Sequence, residues 1–107
     1  MTTVTIYKSS DNYNGLRCKG HASYGKYGKD IVCASVSILV INTLNAMEEL
    51  AGEVFETKSD QETGYIECQF PNGLNDKSKL LMDAMLMGLK DIHKKYGKYF
   101  ELIIREV

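Results

Sequence analysis

The chain has 107 residues and is 44% hydrophobic, which supports one modest core, so a single domain over residues 1–107 is expected. Its 13 basic and 14 acidic residues leave a formal net charge of -1, which excludes any global attraction to nucleic acid or to an anionic membrane. Cys18, Cys33 and Cys68 are odd in number and widely spaced, a usage that fits reduced thiols rather than a disulfide framework.

The opening residues "MTTVTIYKSS" contain no charged segment followed by a long apolar run, and the longest apolar stretch, "SILVI", is short for a bilayer. A cytoplasmic protein without a membrane partner is expected. "TVTIYKS" alternates, with Val4 and Ile6 on one face and Thr3, Thr5 and Tyr7 on the other, as a half-buried strand does. After the turn "SDNYNG", "LRCKGH" alternates again, directing Leu16 and Cys18 inward, so the two strands form a hairpin that ends at His21.

A glycine-containing loop follows, "ASYGKYGK", and Asp30 is the expected N-cap of a helix that runs to about Leu50 and is closed by Gly52. Val36, Val40, Leu44, Met47 and Ala51 recur at helical spacing, while Ile38, Leu39 and Ile41 make further sides apolar and predict cover by more than one layer. A second hairpin is read from "VFETK", a polar turn ending at Gly64, and "YIECQF". From about Asn75 a second helix carries Leu81, Met85, Leu89, Ile92 and Tyr96 and stops at Gly97, before a last strand in "YFELIIREV".

The order ββαββαβ predicts an α+β domain with a mostly antiparallel sheet of about five strands and two helices on one face. Met82, Leu86 and Met87 lie off the expected core stripe of the second helix; a homodimer surface is the simple reading, although Met-rich helix faces are more often plain core.

The chemistry concentrates in "GHASYGKYGKDIVCASVS". A cysteine nucleophile must be a thiolate, and a Cys33 in the first turn of a helix would sit beside open amides and the positive end of the macrodipole. The amides of Cys33 and Ala34 are then the expected oxyanion donors, and His21 the expected base. Asp30 is expected to cap the helix or to orient His21. Tyr24, Gly25, Tyr27 and Gly28 form the expected substrate-gating loop.

Duller readings stand beside these. Cys33 could be a buried structural thiol and His21 a hairpin-end residue, while Cys18 and Cys68 fall among inward-facing strand positions and His93 on a solvated helix face. A zinc site from Cys18, His21 and Cys33, with Cys68 or His93, lacks the paired short spacings of zinc modules, so no metal and no cofactor are expected. The tyrosines and lysines of "SYGKYGK" and "KKYGKY" could stack on single-stranded nucleic acid, but with a near-zero net charge direct nucleic acid binding is not expected.

"GHA" from Gly20, a glycine at position 28 and "DIVCA" from Asp30 resemble the signature of the ribosomal-processing cysteine proteases, the Prp family, and length and element order agree over the whole chain. The resemblance implies a cysteine endopeptidase that removes the N-terminal extension of a large-subunit ribosomal protein, the one numbered twenty-seven. It implies a catalytic dyad of His21 and Cys33, an aspartate at Asp30 of less secure role, a homodimer, and a loop that reorders around substrate. Ser35 departs from the small glycine or alanine usual after "DIVCA", which raises the packing of that turn as a question. The reading from a different class is a non-catalytic ribosome-associated module that binds RNA or protein.

Overall fold

The computed structural model describes residues 1–20, 27–60 and 62–107, and of 27–30 the backbone alone. Among the described residues a five-stranded sheet is covered by two helices. The strands are β1 (Thr2–Ser9), β2 (Asn12–Lys19), β3 (Thr57–Asp60), β4 (Tyr65–Gln69) and β5 (Phe100–Glu106), and the helices are α1 (Tyr27–Ala51) and α2 (Asp76–Tyr96). Their order is the expected ββαββαβ.

The sheet order is β3-β4-β2-β1-β5, with only the β1 and β5 pair parallel. Parallel pairing of β1 with β5 requires the chain to return along the sheet, and α2 makes that return. The edge strand β3 lies at the far side from α2.

Alternation holds in the first hairpin: Val4, Ile6, Leu16 and Cys18 are buried in the core. Thr5, expected to face outward, is also buried, because β1 has a neighbour on each side and little of a small residue stays open there. Two polar fastenings fix the loops beyond the sheet. Asn12 accepts from the Leu74 amide at 3.0 Å and donates to the Leu74 carbonyl at 3.3 Å, pinning the segment that breaks β4 from α2. The Asn75 side chain caps α2 by accepting from the Ser78 amide at 2.8 Å and donates to the Ala51 carbonyl at 2.9 Å, so one residue joins the end of α1 to the start of α2.

Several expectations change. The strand expected at "VFETK" starts only at Thr57, since pairing to β4 begins at Thr57 opposite Cys68. Val54 is open to solvent and Phe55 turns in to meet Phe70 edge-on, with ring centroids 5.4 Å apart. Met82 and Leu86 belong to the core and not to a dimer surface, because the buried stripe of α2 is Ser78, Met82, Met85, Leu86 and Leu89; Met87 alone of the three is exposed. Leu81 and Ile92 pack at the margin of that stripe, and Tyr96 is largely exposed.

The helix α1 buries Val32, Val36, Val40, Leu44 and Met47 against the sheet, and Leu39 meets α2, where a Cβ on Gly88 would stand 2.8 Å from Leu39 Cδ2. Its second layer stops there: Ile38 and Ile41 face outward. By length and composition Ile31–Ala51 is apolar enough to cross a membrane, contrary to a reading based on its longest uninterrupted run, and the packing on sheet and α2 accounts for much of that apolarity.

Candidate active site

The site is assembled where β2 ends and α1 begins. Gly20 follows β2 with φ 152°, and a Cβ there would lie 2.8 Å from the Thr2 Cα, so the turn out of β2 needs a residue without a side chain. His21, Tyr24 and Gly25 lie outside the described residues. Tyr27 and Gly28, expected in the gating loop, instead form the first residues of α1.

That earlier start moves two further expectations. Asp30 is in the first turn of α1 and does not cap it, because the helix begins three residues before it. Cys33 is in the second turn, and its amide and that of Ala34 are within reach of the carbonyls of residues 29 and 30 in the helical ladder. They are not free oxyanion donors. The open amides of a helix that starts at Tyr27 belong to its first turn, at residues 27–29.

The three cysteines separate cleanly by environment. Cys18 is 1% exposed, and burial, with a smaller contribution from the nearby charge of Cys33, pushes its thiol up to about 11. Burial also raises Cys68, against the pull of the Thr57 hydroxyl 3.3 Å away. Cys33 is only half-buried. It is therefore the thiol that a reagent or substrate reaches with least disturbance of the core.

Ser35 is exposed and its hydroxyl donates to the Ile31 carbonyl at 2.8 Å, a bond within its own helix. No group of three or more His, Cys, Asp or Glu side chains among the described residues could share a metal ion. His93 is exposed near the end of α2, its ring edge-on to Phe100 at 6.1 Å.

A groove of about 460 Å³ opens beside the site and was not legible in the sequence. Ser37, Ile41, Leu44, Asn45 and Glu48 of α1 form one wall, and the β3–β4 hairpin, with Thr57, Ser59 and Ile66, forms the other. Cys33 does not line it, but two lining residues stand near that thiol. Ser37 lies one helical turn beyond Cys33 on the same face, and Ile66 is the cross-strand partner of Cys18, the thiol beside Cys33. The one sequence signal was the i, i+4, i+8 row of Cys33, Ser37 and Ile41.

Residues 1–101 match the family model "Cysteine protease Prp". A relative from Bacillus subtilis, named ribosomal processing cysteine protease Prp, is 34% identical over 103 residues, covering 90% of each chain. Two crystal structures of the protease Prp from Staphylococcus aureus share the fold. The one in complex with a substrate peptide has a TM-score of 0.90 at 28% identity, covering 98% of this chain and 100% of that one. The one with a covalently linked product peptide has a TM-score of 0.86 at 29% identity, with the same coverage.

Proposed function

The chain belongs to the cysteine protease Prp family, and from that premise we propose that it removes the N-terminal extension of a large-subunit ribosomal protein, the one numbered twenty-seven, with Cys33 as nucleophile and His21 as base. The observation that carries this reading is the position of Cys33: the half-buried thiol of the three, one helical turn from a residue that lines a groove, and twelve positions after His21 in the sequence.

The steps follow ordinary thiol chemistry. His21 takes the Cys33 proton, the thiolate forms a bond to the peptide carbonyl carbon, and the oxyanion is held by open amides of the first turn of α1. Collapse of this intermediate breaks the C–N bond, and the proton passes from His21 to the departing amine. Water, deprotonated by His21, then attacks the thioester and releases the acid and the thiol. Asp30, one turn before Cys33, is the residue we assign to orienting His21. No metal or cofactor enters any step.

The same reading includes a homodimer, supported by the exposed Ile38 and Met87 on neighbouring helices, and a reducing, cytoplasmic setting, supported by three free cysteines. The test is incubation of the extended ribosomal protein with wild type, Cys33→Ala and His21→Ala, followed by mass measurement. Wild type should release the extension as one fragment and both variants should lose cleavage by about a thousandfold or more. Cleavage by Cys33→Ala at the wild-type rate would overturn the assignment.

A further inference from the structure

The groove between α1 and the β3–β4 hairpin is longer than catalysis at Cys33 requires. From Ser37 to Glu48 it follows α1 for about 16 Å, at 1.5 Å per residue. An extended peptide advances about 3.3 Å per residue, so the groove accommodates about five of them. Its middle is apolar, from Ile41, Leu44 and Ile66.

Its charge is one-sided. Glu48 and Asp60 are the ionisable carboxylates that line it, and neither lysine nor arginine does so among the described residues. Lys58 points away from it, in the cleft on the opposite face beside Glu67. The two carboxylates differ. Asp60 is near the Cys33 end and its side chain accepts from the Glu62 amide at 2.9 Å, whereas Glu48 stands at the far end, close enough to Cys68 to act on its thiol.

The geometry points to a specificity groove for the substrate segment on the N-terminal side of the cut: about five extended residues, apolar in the middle, with a lysine or arginine opposite Glu48. The choice of side comes from the two-step chemistry. The acyl half stays joined to the thiol through both steps while the amine half leaves after the first, so a groove that begins one helical turn from the thiol serves the acyl half throughout. This assignment rests on Cys33 being the nucleophile, and Ile41 and Glu48 determine specificity without taking part in the chemistry.

The experiment uses synthetic peptide chloromethyl ketones, whose C-terminal methylene alkylates a thiolate as the S–C bond forms and chloride leaves, so that labelling reports both occupancy and the reactive cysteine. Leucine-rich reagents of two, four and six residues, the longest beginning with either Lys or Glu, are mixed with the full chain, and the rate of Cys33 modification is read by mass. In wild type the rate should rise about tenfold or more from two residues to six, and the Lys reagent should outpace the Glu reagent. Ile41→Lys, at an exposed position, should abolish the length dependence, so that the six-residue reagent reacts no faster than the two-residue one. Glu48→Lys should reverse the Lys-over-Glu preference.

A length dependence that Ile41→Lys leaves intact overturns the groove and spares the proposed function. A wild-type rate independent of length, with Ile41→Lys dissociating a dimer in light scattering, gives the groove to a second copy and likewise overturns the proposal. Failure of every reagent, the two-residue one included, to label Cys33 ahead of Cys18 and Cys68 overturns the proposed function and the groove with it.

Discussion

The two helices lie side by side on one sheet and are built for different ends. The helix α2 is closed at its start by the Asn75 cap, carries three basic residues, His93, Lys94 and Lys95, in its last turn, and buries a continuous stripe from Ser78 to Leu89. Among the described residues, the helix α1 is fastened at its far end, where Gly52 takes φ 68° and the Glu53 amide returns to the Met47 carbonyl at 3.0 Å. Its near half leaves Ile31, Ile38 and Ile41 exposed and holds Cys33 half-buried. One helix spends its apolar residues on the core; the other keeps a share of them at the surface, next to its half-buried thiol.

Substitutions can break this contrast, and the largest effect belongs to α2. Met82 is fully buried, so Met82→Ala leaves a cavity and should lower unfolding free energy by about 3 kcal/mol in a urea titration. A loss below about 1 kcal/mol would mean that α2 is not the structural member of the pair.

The next effect depends on pH. Cys18 keeps its proton more tightly folded, at about 11, than at its ordinary value of 9.0. Its contribution is full below about pH 9 and is lost as pH rises toward 11, because the unfolded chain ionises first. Thermal melts should show wild type losing on the order of 2 kcal/mol across that interval, and Cys18→Val losing less, by most of that amount. Equal losses would remove Cys18 from the buried set.

A smaller effect is expected at the junction of the helices. Asn75→Ala removes the α2 cap and the bond to the Ala51 carbonyl, and should cost about 1–2 kcal/mol in the same urea titration without changing thiol reactivity. The smallest belongs to α1: Ile38→Ser, at a position 68% exposed, should shift monomer stability by less than about 0.5 kcal/mol. In the proposed dimer it should raise the dissociation constant measured by analytical ultracentrifugation.

Element order and the first hairpin were legible because Val4, Ile6, Leu16 and Cys18 alternate and a single face is buried. The start of β3 was not, because "VFETK" has strand composition but pairing depends on where β4 stands, and only Thr57 onward lies opposite it. The start of α1 was misplaced because Asp30 is the best capping residue in its neighbourhood by type, and helix formation extends three residues past it. Met82 and Leu86 were assigned to a surface because a stripe drawn through Leu81 and Met85 is rotated from the one the packing selects. At the site, the flanks of Cys33 single it out in the sequence, and the fold leaves it half-buried where Cys18 and Cys68 are buried. The groove was not legible, since it arises where an edge strand extends beyond the cover of α1, a relation between distant segments.

The most direct measurement is alkylation of the folded wild-type chain with iodoacetamide at neutral pH, with peptide mapping at successive times. Cys33 should be modified first, and Cys18 and Cys68 only on a timescale set by unfolding. Modification of all three at one rate, or of Cys33 last, would contradict the account of α1 as the helix that presents a reactive thiol.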